Sequence, residues 1–204
     1  LKGNINSSEL FPPEFSVIRK DRETHKKGGV LIAIRNDLIA THQVDLDTNC
    51  EVVWVTIKIQ GTKDLTIGSF YRSHTFGNTP EYLNALRESL EKIKKSNKGQ
   101  IILGGDFNLP SVDWDRSDVR SGGSYANLSR QMLDIANDFN LEQVVREPTR
   151  KNNILDLQFS SLQIPPLLKD HGSFLDLVTM MAFRLLSLAL NLNTSRSIQG
   201  RYLC

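Results

Sequence analysis

An apolar run that ends in two glycines, an acid and an amide constrains this chain more than any other segment. Residues 100–103 are Gln-Ile-Ile-Leu, which predicts a buried strand, and Leu109-Pro110 cannot continue it. Asp106 and Asn108 are therefore expected at the strand end and on one face, because side chains alternate along a strand. The glycines before them allow a backbone or a ligand to approach closely. A carboxylate beside an amide suits a metal-bound phosphate, since one supplies charge and the other a hydrogen bond.

Strand and helix patterns around this corner predict a layered α/β domain. Residues 51–59 alternate, with Val53 and Val55 on one face and Val52 and Trp54 on the other. Paired strands come first along the chain and helices then alternate with strands, which is typical of a mixed sheet in an α/β fold. Strands are predicted at residues 15–20, 29–35, 51–59, 65–71, 100–104, 141–145 and 154–159. One helix is predicted to begin near Pro80, and a second is predicted to span residues 127–140.

Length and charge leave several classes of function open. A chain of 204 residues suits one domain with a real core. The net charge of +2 is too small to indicate a nucleic-acid partner by itself, although a local basic face remains possible. Cys50 and Cys204 form neither a disulfide framework nor a metal set, and Cys50 is predicted to be a small buried hydrophobe in a reducing interior. The opening Leu1-Lys2 is neither an initiator Met nor a signal peptide, so we interpret the sequence as a fragment of a longer protein.

Four segments, in this order, resemble the endonuclease/exonuclease/phosphatase superfamily. They are Gly28-Gly29-Val30-Leu31-Ile32-Ala33, Phe70-Tyr71-Arg72-Ser73, Gly105-Asp106-Phe107-Asn108, and Pro148-Thr149-Arg150 followed by Asn153-Ile154-Leu155-Asp156-Leu157. Together they most resemble the apurinic-type endonuclease of non-LTR retrotransposons, the module that precedes a reverse transcriptase. The resemblance covers roughly residues 10–160. It implies a four-layer α/β sandwich, incomplete at the N-terminus, over residues 1–173, with a divergent tail at residues 174–204.

The resemblance also implies catalytic residues and a cofactor. A divalent cation, Mg²⁺ or Mn²⁺, holds and polarises the scissile phosphate in this family. Asp106 matches the residue that positions or deprotonates the attacking water and is also the expected metal-side carboxylate. Asn108 matches the Asn that hydrogen-bonds the phosphate region, and Tyr71 matches a Tyr that contacts the phosphate or its developing charge. Asp156 matches the Asp that accepts a hydrogen bond from a catalytic His.

The expected partner is DNA, which the resemblance assigns to Arg72, Thr149 and Arg150. A reverse transcriptase domain in the same parent polyprotein and an intracellular, nuclear location are expected on the same ground. Each motif also has a purely structural interpretation, because Asp and Asn favour turns. Tyr71 would then be an aromatic residue at the core rim, and Asp156 would cap a strand or pair with Arg150.

Two groups that the family requires are absent from the expected positions. The metal-binding Glu, commonly in Glu-Thr-Trp, would lie upstream of Leu1, and Asp170-His171 comes too soon after Asp156 to be the closing Ser-Asp-His. Residues 177–181 occupy the expected place, and a one-base shift of their codons spells Ser-Asp-His-Asp. We therefore hypothesise a frameshift between Ser173 and Leu177, and we expect this polypeptide alone to show little or no nicking.

The apolar segment Phe174–Leu192 is not predicted to span a membrane, because Asp176, Arg184 and Asn191 interrupt it. Two alternatives to the endonuclease interpretation remain open. One is a phosphatase of the same superfamily, since fold alone does not decide function. The other is a non-catalytic remnant that binds nucleic acid through basic side chains, namely Arg72, Arg116, Arg120 and Arg150.

Overall fold

A computed structural model describes residues 6–22, 29–96 and 99–161 of the chain. The strands are β1 (Phe15–Asp21), β2 (Gly29–Arg35), β3 (Ala40–His42), β4 (Glu51–Ile57), β5 (Leu65–Tyr71), β6 (Gln100–Asp106), β7 (Val112–Asp113), β8 (Asp118–Val119), β9 (Glu142–Gln143) and β10 (Asp156–Ser160). The helices are α1 (Ser7–Leu10), α2 (Pro80–Ser96) and α3 (Ala126–Asp138), with a 3-10 turn at Val44–Leu46.

The central element is a six-stranded sheet in the order β3-β4-β5-β6-β10-β9. Strands β5 and β6 run parallel because the helix α2 connects them, whereas the other neighbouring pairs are antiparallel. The sheet is therefore mixed, as the sequence predicts. Strands β1 and β2 form a separate hairpin, and β7 and β8 form a small two-stranded pair.

Both faces of the sheet are covered, and the alternation in β4 shows how. Val52 and Trp54 belong to a core cluster that also contains the inward faces of α2 and α3. Val53 and Val55 belong to a second cluster, which the hairpin β1–β2 covers. The described residues therefore form three layers: hairpin, sheet and helices. The fourth layer of the expected sandwich is not among the residues that the structure describes.

Strand β6 approaches β5 at a distance that requires glycine. Gly105 has φ +152°, and a Cβ atom there would lie 1.6 Å from the carbonyl oxygen of Phe70. This close approach is the one that the glycines before Asp106 predict. It sets the residue that follows, Asp106, directly beside the end of β5.

The structure differs from the predicted elements mainly at their ends. Residues 141–145 contain only the short strand Glu142–Gln143, and the last described strand begins at Asp156 instead of residue 154. The strands Ala40–His42, Val112–Asp113 and Asp118–Val119 were not predicted, because strands of two or three residues carry no readable alternation.

The sequence also predicts a buried Cys50 and no membrane-spanning segment. Cys50 is buried, as predicted, and burial raises the pKa of its thiol to about 11. None of the described helices is both long and apolar enough to cross a membrane. The segment Phe174–Leu192 and the divergent tail lie outside the described residues.

Candidate active site

Strand register places four polar side chains in one row across the sheet. Glu51 pairs with Tyr71, Tyr71 with Asp106, and Asp106 with Asp156 on the neighbouring strands β4, β5, β6 and β10. Residues level with one another on adjacent strands point to the same face, so the row shares the face that the hairpin covers. Tyr71, Asp106 and Asp156 thus lie together, as the resemblance implies. Glu51 completes the row and was not predicted as a site residue; its signal is only its position as the first residue of a buried strand.

Asp106 is a buried carboxylate with two partners. Its Oδ1 accepts a hydrogen bond from the backbone N–H of Asn108 at 3.1 Å, and its Oδ2 lies 3.2 Å from Nη2 of Arg150. Burial first, and then the nearby carboxylate of Asp156, raise the pKa of Asp106 to about 6, even though Arg150 acts in the opposite direction. A carboxyl group with this pKa changes its protonation state just below neutral pH, where it can accept a proton.

Asn108 presents a hydrogen-bond acceptor that has no partner. Its backbone is in the left-handed region with φ 51°, and its Nδ2 donates to the backbone carbonyl of Arg72 at 2.9 Å. That bond fixes the amide orientation, because in the opposite orientation Oδ1 of Asn108 would face the carbonyl oxygen of Arg72 and two acceptors would meet. The Oδ1 atom is buried and hydrogen-bonds to none of the described residues. The Oδ1 acceptor suits the proton of a water molecule or a cation. Nδ2 has a second N–H besides the one bonded to Arg72, so the expected hydrogen bond from Asn108 to the phosphate region stays a prediction.

Arg72 requires a correction, since it was expected to bind nucleic acid. Its side chain is 0% exposed. The guanidinium donates from Nε to the carbonyl of Phe107 at 2.7 Å, from Nη1 to that of Gly77 at 3.0 Å, and from Nη2 to that of Asn108. It also lies over the ring of Tyr125, 4.4 Å from the centroid. Arg72 therefore holds the backbone of the Asp106–Asn108 corner and has no surface for DNA.

Tyr71 lies between Asp106 and an ion pair. Its ring packs against the guanidinium of Arg22, 5.6 Å from the centroid, and Arg22 pairs with Glu51. Burial and the charge of Asp106 raise the pKa of Tyr71. The phenol is therefore protonated at neutral pH and can donate a hydrogen bond. Tyr82 reinforces this end of the sheet, because its hydroxyl accepts from the N–H of Glu51 and donates to the carbonyl of Tyr71.

A tight turn places Arg150 against Asp106. Arg150 and Asn153 pair across the turn, and Lys151 adopts a left-handed backbone with φ 55°. The Thr149 hydroxyl accepts from the N–H groups of both Leu155 and Asp156. Thr149 thus has a structural role, although it is exposed, and Arg150 keeps about half of its side chain exposed. Both stay predicted nucleic-acid contacts.

A family model described as endonuclease-reverse transcriptase matches residues 65–178, which begin at β5 and include the Asp106–Asn108 corner and Asp156. The chain belongs to this family. Membership places it among the nuclease- and phosphatase-type hydrolases of the endonuclease/exonuclease/phosphatase superfamily. None of the curated proteins compared with the sequence matches it.

Two solved structures are similar to the chain at 15% sequence identity. One is the 3′ phosphatase NExo from Neisseria bound to a product DNA hairpin, with a TM-score of 0.48, and the match covers 81% of this chain and 72% of that one. The other is an endonuclease/exonuclease/phosphatase family protein from Leptotrichia buccalis C-1013-b, with a TM-score of 0.44 and coverages of 77% and 64%.

The superfamily is generally metal-dependent, and the row offers donors that fit a hard cation. Asp106 and Asp156 contribute carboxylate oxygens, and the partnerless Oδ1 of Asn108 adds an amide oxygen. Oxygen ligands of this kind suit Mg²⁺, which needs only one or two protein carboxylates when substrate and water supply the rest. No cluster of three or more His, Cys, Asp or Glu side chains that could hold a metal occurs within the described ranges.

The expected histidine partner of Asp156 is not found in the described part of the chain, where no His side chain hydrogen-bonds to it. Asp170-His171, residues 177–181 and the hypothesised frameshift all lie outside the described residues, so these hypotheses stay predictions. So does the domain boundary at residue 173.

Proposed function

We propose that this chain is the endonuclease module of a non-LTR retrotransposon and that it nicks DNA by metal-dependent phosphodiester hydrolysis. The observation that supports this most is the row across four neighbouring strands, because it brings Tyr71, Asp106 and Asp156 to one level of one face. These are the residues that the resemblance selects from distant parts of the sequence. A purely structural role for each would not require a common level.

Asp106 and Asn108 are suited to hold the attacking water. The Asp106 carboxylate and the Asn108 Oδ1 both accept hydrogen bonds, so together they can bind the two hydrogens of one water molecule. Above about pH 6 the Asp106 carboxylate is free to take one of those protons. As the water oxygen bonds to phosphorus, its proton passes to the Asp106 carboxylate and the scissile P–O bond breaks. The departing oxygen takes a proton from solvent and leaves as a hydroxyl group.

Tyr71 and Arg150 are suited to bind the phosphate. The protonated phenol of Tyr71 can donate a hydrogen bond to a phosphate oxygen as charge develops there. The half-exposed Arg150 can exchange its contact with Asp106 for a charge-assisted contact with the phosphodiester. That exchange would also free Asp106 Oδ2 to bind the water or a metal ion.

Asp106 and Asp156 would hold Mg²⁺ or Mn²⁺, which supplies charge neutralisation at the phosphate and lowers the pKa of bound water. The described residues provide only these two carboxylates in the row beside the ion-paired Glu51. The sequence predicts little or no nicking by this polypeptide, and within the present proposal we expect nicking that is slow but measurable on plasmid DNA. A reverse transcriptase domain in the same parent polyprotein and a nuclear location are part of the same proposal, and they rest on the resemblance.

The proposal is tested by nicking of supercoiled plasmid DNA, which detects a single cut per molecule and so suits a slow enzyme. We expect slow relaxation by the full chain with Mg²⁺ and none with EDTA. Asp106→Ala should reduce the rate at least about 100-fold, because it removes the group that holds the water. Asp64→Ala is the matched control, since Asp64 precedes the opposite end of β5 and lies outside the row.

Absence of Mg²⁺-dependent nicking, or nicking that survives Asp106→Ala, would contradict the proposal. Salt-dependent DNA binding without any cleavage would favour the non-catalytic alternative. In that case the binding surface would exclude Arg72, because its side chain is fully buried.

A further inference from the structure

The loop that follows β5 carries a histidine that the mechanism above does not use. His74 is exposed and comes three residues after Tyr71. Its loop is held in place by internal hydrogen bonds, since Gly77 N–H donates to the Ser73 carbonyl at 2.9 Å and the Ser73 hydroxyl accepts from Thr75 N–H at 3.2 Å. The Arg72 guanidinium ties the same loop to the site by its bond to Gly77. His74 is thus fixed relative to the Asp106–Asn108 corner.

Tyr125 orients the His74 ring. The Tyr125 hydroxyl lies 3.2 Å from Nδ1 of His74, and the two rings pack with their centroids 5.7 Å apart. Tyr125 has a left-handed backbone, with φ 59° at the start of α3, and it packs against Arg72. A residue held in this uncommon conformation by its surroundings is a feature of functional sites. When the hydroxyl donates to Nδ1, the imidazole proton resides on Nε2, which leaves one donor available.

The surroundings of the ring attract an anion. Burial, followed by the positive charges of Arg72 and Arg150, lowers the pKa of His74, while Asn108 acts in the opposite direction. His74 is therefore neutral at neutral pH. The Asn108 side chain lies close enough to His74 to act on its pKa through a hydrogen bond, although no contact of normal hydrogen-bond geometry joins Asn108 Oδ1 to a described residue. A donor and an acceptor thus lie side by side, next to two guanidinium groups.

We propose that His74 is a further nucleic-acid-binding residue, which donates a hydrogen bond from its imidazole to a phosphodiester oxygen beside Asn108. The proposal rests on the proposed function, because it assigns this contact to the same DNA phosphate. His74 donates to the phosphate oxygen, and Asn108 accepts from the water, so the two groups do not compete. Arg150 provides a positive charge for the phosphate, and His74 provides a directional hydrogen bond.

The test is DNA affinity without metal, measured by fluorescence anisotropy of a labelled duplex in EDTA over a series of salt concentrations. His74→Ala should weaken binding roughly tenfold to a hundredfold, the value of one hydrogen bond to a charged group. The slope of log affinity against log salt should not change, since a neutral donor releases no counterion. Arg150→Ala should instead reduce that slope by about one. His74→Gln, which keeps an N–H donor, should bind within about twofold of the wild type.

Thr75→Ala is the matched control, because Thr75 is the exposed neighbour in the same loop and only its backbone bonds to Ser73. Wild-type affinity in His74→Ala would overturn the inference, and so would a loss that His74→Gln does not restore, because that pattern indicates packing. Failure of the wild-type chain to bind DNA would instead contradict the proposed function, and this inference with it.

Discussion

Asp106 concentrates the chemistry of the site in a single residue, at a cost to stability. Its side chain is 4% exposed and lies near the carboxylate of Asp156, with one half-exposed guanidinium as its ion-pair partner. A buried acid with an incomplete set of partners lowers the stability of the fold, and such groups are typical of functional sites. The pKa of about 6 is the measure of that imbalance.

This imbalance predicts a pH-dependent gain in stability for Asp106→Asn in metal-free buffer. The folded-state pKa is raised from 3.8 to about 6, so the native state binds the proton more tightly than the unfolded state does. The stabilising contribution of protonation is complete below about pH 4 and is lost as pH rises through about 6. Relative to the wild type, the variant should therefore gain up to about 3 kcal/mol in free energy of unfolding between pH 4 and pH 7.

Urea denaturation of both proteins in EDTA at several pH values measures this difference. Asp64→Asn provides the control for removing one negative charge at the other end of the sheet. If the free energies of unfolding of Asp106→Asn and the wild type differ by the same amount from pH 4 to pH 7, the pKa of Asp106 is not raised in the native state.

Arg72 shows how far single residues can be interpreted from sequence. It lies inside the Phe-Tyr-Arg-Ser segment that carries the resemblance, which places it correctly at the site. A sequence does not reveal which arginine is exposed, and Arg72 is buried with three carbonyl partners. His74 was missed for the opposite reason, because an exposed polar residue in a loop follows no periodic pattern.

At the scale of elements, two strand pairings create the site. The parallel pair β5–β6 brings Tyr71 level with Asp106, and the antiparallel pair β6–β10 brings Asp156 level with Asp106. A shift of one residue in either pairing would turn the partner to the opposite face. The close approach at Gly105 is what fixes β6 against β5 next to the row.

Gly105→Ala should therefore destabilise the fold strongly. The new Cβ atom would lie 1.6 Å from the Phe70 carbonyl oxygen, so the two strands would have to separate. We expect a loss of at least about 3 kcal/mol in free energy of unfolding, measured by urea denaturation. Gly61→Ala separates this clash from backbone strain, because Gly61 has φ +79° and no atom within 4 Å of a new Cβ.

The Gly61 variant should lose only about 1 kcal/mol. Equal losses in the two glycine variants would mean that conformational strain alone explains the effect, and that the close approach of β5 and β6 does not determine the register.

At the scale of the whole molecule, the sequence predicts the long strands and the helix α2 well. Their apolar runs and stripes are set by burial on both faces of one sheet, and Leu83, Leu86 and Leu90 are fully buried as the helical pattern requires. The short strands β3, β7 and β8 carry no such pattern, because tertiary contacts create them, and β9 is shorter than the strand predicted at residues 141–145. The side-chain orientation of Asn108 is set by the Arg72 carbonyl, which is distant in sequence, and so it was not predictable.

The row of Tyr71, Asp106 and Asp156, together with Asn108, is proposed to bind a divalent cation and a DNA phosphate. The most direct measurement is paramagnetic broadening by substoichiometric Mn²⁺ in the amide spectrum of the full chain with a DNA oligonucleotide. We predict that the signals of Asp106, Asn108 and Asp156 broaden first, and that Asp106→Asn removes the effect. Broadening centred on another acidic segment, such as Asp113 and Asp118, would contradict the claim.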